Sequence, residues 1–296
     1  WAPVMALLGW GLMAVLCWHL LQWAVVHAVW QPDATACQNS PHGACWGVVP
    51  AKALPILLGH YPEDQRWRPL LFMLASMACL WAFARARADR RLGWWLLCGA
   101  VWLPVAILLL RGGWGPLSLV PPPDWGGLPL TLILSTFGIA FAFPFGVLLA
   151  LGRRSRMPAI KALCVVYIEL IRGVPLISLL FMSSVMLPLF LPVGVTFDKL
   201  LRAQIAIILF AGAYLAEVFR AGLLSIPRGL TEAGLAIGLT PMQIRTSIIA
   251  PLMLRNVLPS LSSTVISLFK DTSLAAAIAV PELTFEARKI NVETFR

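Results

Sequence analysis

An all-α fold embedded in a membrane is predicted by three properties of this 296-residue sequence. Hydrophobic residues make up 59% of it and charged residues only 12%, with a mean hydropathy of +0.83; a soluble domain carries about twice that charge fraction. Apolar runs near the roughly 20 residues that cross a bilayer as a helix recur along it. Basic residues collect in alternate loops between those runs, the arrangement that fixes orientation in a membrane.

Seven spans are expected, at about 4–30, 69–84, 93–110, 128–151, 174–193, 201–224 and 257–280. The first carries no signal-peptide cleavage pattern and reads as an ordinary membrane helix. The polar loop at 31–67 follows on the outer side. It holds Cys37 and Cys45 around QNSPHGA, and a local disulfide is expected in a compartment where disulfides persist. Cys17, Cys79, Cys98 and Cys164 lie in or beside apolar runs and are expected only to pack. No metal-ligand spacing joins them, and His42 and His60 read as surface residues.

The basic residues fall in three places: Arg85, Arg87, Arg90 and Arg91 after the second run, Arg153, Arg154, Arg156 and Lys161 after the fourth, and Arg220, Arg228, Arg245 and Arg255 around the loop after the sixth. These loops are assigned to the cytoplasm. The net charge of +10 is then a topology signal split among separate loops, and nucleic-acid binding is excluded. A glycine-, proline- and tryptophan-rich connector, RGGWGPLSLVPPPDWGG, divides the chain into residues 1–111, a linker at 112–127 and a core at 128–296.

Charge inside apolar surroundings occurs only after this connector. Glu169 and Arg172 are three apart on the amphipathic lead-in 161–172 to the fifth span and can neutralise each other, as can Glu217 and Arg220 at the end of the sixth. Lys270, Asp271, Thr272 and Ser273 sit near the end of the last span. Ionisable groups there are costly and mark partners or water-filled paths, so these four are candidates for a solute pathway. The small residues 275–277 that follow allow close helix packing.

The loop 221–258 is the most structured polar segment. Pro227 suits a first helical turn, and Glu232 is early enough to favour the helix dipole. Leu230, Ala233, Gly234 and Ile237 recur at helical spacing as one face of small and apolar side chains. Gly238 is placed as a left-handed helix stop. Thr240, Pro241 and Gln243 then read as N-cap, first-turn proline and capping-box partner of the next helix. A compact helix of this kind fits a groove of another protein; a plain connector between two spans is the other reading. No G-x-x-x-x-G-K-[ST] phosphate cradle occurs in the chain, and neither paired aspartates nor a helix-borne metal motif speaks for an intramembrane enzyme. Energy for transport would come from another subunit, or from an ion gradient in the rival reading of a secondary transporter or channel for small polar solutes.

Three motifs in order, IELIRGVPL, AYLAEVFRAGLLSIPRGLTEAGLAIGL and LFKDTSLAA, resemble the permeases of polar-amino-acid ATP-binding-cassette importers over about 125–282. GACWGVV with YPEDQRWRP and the extra early spans resembles the larger permeases of general L-amino-acid importers. The resemblance implies a type I importer permease fold in the bacterial inner membrane. It also implies a second, homologous permease subunit, an ATPase dimer holding ATP and Mg, and a periplasmic amino-acid-binding protein, with membrane lipid around the spans and no cofactor on this chain. Carried over by position, Glu232, Ala233, Gly234 and Gly238 belong to the coupling helix that docks on the ATPase. The sequence departs from the family pattern at Gly234, where alanine is usual and where glycine weakens a helix by up to about 1 kcal/mol, and at Ala250, where leucine is usual. The family's last span is expected beyond Arg296.

Overall fold

The computed structural model describes residues 2–31, 34–39, 42–86, 93, 101–192, 194–195 and 197–295, and they are helical with no strand among them. The helices are α1 (Ala2–Leu21), α2 (Val48–Leu58), α3 (Trp67–Arg85), α4 (Leu103–Arg111), α5 (Gly127–Arg153), α6 (Pro158–Gly173), α7 (Leu176–Phe181), α8 (Lys199–Leu224), α9 (Arg228–Ala236), α10 (Ala250–Asp271) and α11 (Leu283–Phe295). Short π and 3-10 turns extend α7 to Phe190 and make Pro241–Ile278 a single rod around α10.

Among the described residues, four helices are long and apolar enough to cross a membrane by themselves: Pro3–Val26, Gly127–Arg153, Lys199–Leu224 and Pro241–Ile278. The pair Pro158–Gly173 and Leu176–Phe190, bent by 104°, makes a fifth if counted as one span. The second expected run lies on α3 and the later part of the third on α4, while residues 94–100 of the third, with Cys98, lie outside the described residues, as do Arg87, Arg90 and Arg91. The count of seven is therefore not established by these helices. Two boundaries differ from expectation. The lead-in 161–172 is a separate helix, because Pro175 forces Val174 into an extended conformation (ψ 134°) and breaks the rod there. The last span does not begin at 257, since the capped helix at Pro241 runs straight into it.

The core is built on α5 against α8. Gly138, Ala142, Gly146 and Ala150 recur every fourth residue and are buried, and Ala203, Ala206, Ala211, Gly212, Ala213 and Ala216 line the facing helix. Small residues on both sides let two backbones approach within the membrane, where packing rather than hydrophobicity drives association. A Cβ on Gly146 would lie 2.8 Å from Leu215 Cβ and 3.1 Å from Gly212 O. Gly146→Val should therefore separate the pair and cost about 1–3 kcal/mol of over-packing. Its purified form should melt at lower temperature than Gly11→Val, whose site has nothing within 4 Å. Phe143 adds an edge-to-face contact with Phe219, ring centroids 5.0 Å apart.

At the opposite, outer end the early part of the chain clasps the core through backbone. Gly127 N–H donates to Pro281 O at 2.9 Å, and a Cβ on Gly127 would fall 2.2 Å from Leu57 O. Glu282 is buried and accepts from the backbone N–H of Thr284 (2.8 Å) and Phe285 (2.7 Å), which caps α11. Burial pushes its carboxyl above the usual carboxylate range despite these donors. The Tyr61 hydroxyl donates to Leu110 O at 2.7 Å, and buried Arg68 donates to Ser118 O at 2.9 Å. Farther out, Cys37 and Cys45 are disulfide-bonded with Cα atoms 5.7 Å apart. In α1, by contrast, no residue of the apolar window is buried within the chain.

Candidate functional site

The loop between α8 and α10 folds as a short helix held by its own sequence. Pro227, expected in the first turn, stands instead at the N-cap with ψ 137° and turns the chain into α9. Nine residues make a helix about 14 Å long. It stops at Gly238, whose φ of +81° only glycine adopts without cost. Leu239 N–H reaches back to Gly234 O (3.0 Å) and Gly238 N–H to Leu235 O (3.0 Å), so the last carbonyls are satisfied. The next helix starts at once: Gln243 N–H donates to Thr240 Oγ1 (3.3 Å) and Thr240 N–H to Gln243 Oε1 (2.9 Å), with Pro241 in the first turn.

The face expected from Leu230, Ala233, Gly234 and Ile237 divides in two. Gly234 is buried against Ile244, with Leu230 half-buried, whereas Ala233, Glu232 and Ile237 are exposed. Ile237 leaves the face because it follows the end of α9, with ψ 11°, outside the helical period. The outer surface carries three large apolar side chains, Leu235 (52% exposed), Ile237 (75%) and Met242 (68%). Exposed apolar surface of this kind on a short polar loop is the type that occurs at protein or membrane contacts.

Gly234 departs from alanine for a local reason: a Cβ there would lie 2.8 Å from Ile244 Cγ1 and 2.9 Å from Cδ1. The close approach offsets the poor helix propensity of glycine. Gly234→Ala should therefore speed amide exchange over residues 228–243 in spite of its better propensity. Combining it with Ile244→Ala should slow exchange again.

The loop is fastened to the core. A Cβ on Gly222 would meet Val257 Cγ1 and Met253 Cγ, so these side chains of α10 pack directly on the backbone of α8 there. Asn256 Nδ2 donates to Ser225 Oγ at 2.9 Å, and Ser225 Oγ donates to Gly222 O at 2.8 Å. These contacts tie the C-terminal end of α8, from which the loop departs, to α10.

One turn deeper lies an ionic cluster. Arg153 donates to Glu217 Oε2 and to Glu169 Oε1, each at 3.0 Å, and bridges α8 to α6. Arg220 pairs with Glu217, as its spacing suggests. Glu169 and Arg172 do not form the expected pair. Arg172 lies 3.9 Å from Glu217 Oε2 and 5.5 Å from the Tyr214 ring, where α6 packs beside α8. Sequence reading missed Arg153 as the hub, since it was one of several arginines in a basic loop.

Along α10 the sequence candidates separate. Lys270 is exposed and Asp271 and Ser273 half-buried, while Thr272 is buried and donates to Phe269 O at 2.7 Å. Ser260, Ser263, Ser267 and Lys270, spaced three and four apart, form an exposed polar stripe on the same rod. Their spacing was present in the sequence but hidden by the apolar residues between them. Such a stripe is unsuited to lipid and suited to a protein partner or a wet path. Among the described residues no three His, Cys, Asp or Glu side chains group as metal ligands.

The family model described as "Binding-protein-dependent transport system inner membrane component" matches residues 142–295. The chain is 43% identical over 278 residues to the inner membrane amino-acid ABC transporter permease protein YhdY of Escherichia coli (strain K12), covering 93% of this chain and 74% of that protein. It is 35% identical over 312 residues to the glutamate/glutamine/aspartate/asparagine transport system permease protein BztC of Rhodobacter capsulatus, covering 87% and 70%. A crystal structure of an amino acid ABC transporter with histidines superposes with a TM-score of 0.52 at 30% identity, over 57% of this chain and 78% of that one. With its apolar helices and its 142–295 core, the chain belongs to the family of binding-protein-dependent transport-system inner membrane components, as a multi-pass inner-membrane permease.

Proposed function

We propose that this chain is a transmembrane subunit of an ATP-driven importer that carries L-amino acids into the cytoplasm by alternating access. The observation that carries the reading is α9: a short helix stopped by Gly238, with Leu235, Ile237 and Met242 exposed at its tip, packed through Gly234 on Ile244 of the rod that continues into α10. An ion-driven carrier has no use for such a projection. In this account a partner ATPase dimer, holding ATP and Mg, takes the tip of α9 in a groove. Its closure moves α9 and tilts α8 and α10 together, favouring one of two states of the bundle.

The amino acid arrives from a periplasmic binding protein and passes between this chain and a second, homologous permease. The exposed stripe Ser260, Ser263, Ser267 and Lys270 faces that path, with the Lys270 ammonium drawing the substrate carboxylate. Asp271 and Ser273, half-buried beside it, offer oxygen acceptors to the substrate ammonium, whereas the Thr272 hydroxyl is already committed to backbone. Relatives named for amino-acid transport support the solute class.

Affinity purification from native membranes tests the assembly. A cassette ATPase and a second permease should accompany the intact chain, and the ATPase should be lost with Gly238→Asp. Recovery of the chain alone, or only with copies of itself, would defeat the importer reading in favour of a gradient-driven carrier.

A further inference from the structure

Where the early helices meet α11 on the outer face lies a cleft of ≈ 320 Å³ that the transport path does not use. Its lining includes Lys52 and Pro55 of α2, His60 of the following turn, and Glu286, Lys289 and Ile290 of α11. Glu286 is 2% exposed, yet its Oε1 receives no hydrogen bond and only approaches His60 Nδ1, at 3.4 Å. Lys289 Nζ is engaged with His60 Nε2 at 2.8 Å. On the rim Arg66 and Glu63 neutralise each other at 3.0 Å. Lys52 is half-buried and has no ion-pair or hydrogen-bond partner among the described residues.

The cleft therefore holds one carboxylate oxygen without a hydrogen bond and one ammonium without a partner among the described residues, with the apolar surfaces of Pro55 and Ile290 in the same lining. A buried polar atom left without a partner costs free energy that a ligand donor can return. We propose that this cleft binds a free α-amino acid, its ammonium donating to Glu286 Oε1, its carboxylate accepting from Lys52 Nζ, and its side chain lying on Pro55 and Ile290. Burial pushes the Glu286 carboxyl up, against the pull of His60 and Lys289, and a ligand ammonium supplies the charge that burial withholds. The site is an outer-face station, separate from the stripe on α10, and rests on the import reading for the identity of its solute. Because the cleft joins α2 to α11 beside the Gly127–Pro281 contact, an occupant braces the clasp between the early helices and the core.

Equilibrium binding of tritiated L-glutamine to the purified full chain in nanodiscs tests the site. Saturable binding is expected, weakened at least tenfold by Lys52→Met and by Glu286→Gln and unchanged in Lys161→Met, which lies at the start of α6, away from both the cleft and the stripe. N-acetyl-L-glutamine, which lacks the ammonium, should not compete. Absence of saturable binding, or binding that survives Lys52→Met, or binding lost in Lys270→Met instead, would overturn the proposal. If Glu286→Gln fails to fold, Lys52→Met decides alone, since Lys52 has no partner among the described residues. ATP-driven uptake by the assembled transporter, measured in parallel, separates the two readings. Uptake without cleft binding defeats the cleft alone, and cleft binding without ATP-driven uptake defeats the import reading alone.

Discussion

Gly238→Val should reduce transport at least tenfold while leaving the chain folded and in the membrane. The φ of +81° at this position lies where a β-branched side chain is strongly disfavoured, at a cost of about 1–2 kcal/mol or more. The site is otherwise empty, since a Cβ there would meet nothing within 4 Å. The whole effect thus passes through the backbone: the reversal after α9 opens, the Leu239-to-Gly234 bond is lost, and the exposed tip is re-aimed. Gly238→Asn, which tolerates the left-handed region, should keep most activity. Uptake in proteoliposomes containing the partner subunits, with gel filtration of each variant, measures both parts. Equal loss in Val and Asn would mean that side-chain bulk at a contact, rather than chain reversal, is what matters.

Glu217→Gln should cause the largest loss of stability of any single polar substitution in the core. Its carboxylate lies at the centre of Arg153, Arg172 and Arg220, all within 4 Å. Removing the charge leaves Arg172 and Arg220 without their carboxylate beside Arg153, and because these side chains are a fifth to a third exposed, solvent screening holds the cost to about 1–2 kcal/mol. Adding Arg153→Met should return part of the loss by removing one of the three cations. The rest should persist, because Arg153 also ties α6 through Glu169. Thermal unfolding of the purified chain in detergent, run as a double-mutant cycle, gives the coupling directly. A Glu217→Gln variant that melts with the wild type would show the cluster to be an accessory of the surface.

What was legible in the sequence was what local chemistry determines. The Gly238 stop and the Thr240–Gln243 capping box follow from residue type and spacing alone, and both stand in the structure. The pairing of Cys37 with Cys45 likewise needed only a short polar loop in a suitable compartment. What was not legible depends on which elements meet. Glu169 and Arg172 satisfy the helical rule for a pair, but Glu217 on α8 lies beside Arg172 and Arg153 at the end of α5 takes Glu169, neighbours that only the packing of α6 brings close. Gly234 looked like a weak point of α9 until Ile244 was found against it. His60 is exposed, as expected of a surface residue, but its partners Glu286 and Lys289, more than two hundred positions away, could not be read from its local sequence.

The central claim is that α9 is the part of this chain that meets a motor. The most direct measurement is site-specific cross-linking from Leu235, replaced by a photoreactive residue, in membranes that hold the whole assembly. The account predicts a product with a cassette ATPase, whose yield changes when ATP is trapped, and no such product from the equivalent replacement at Leu189 on the outer side. Cross-links only to lipid or to copies of this chain would contradict it.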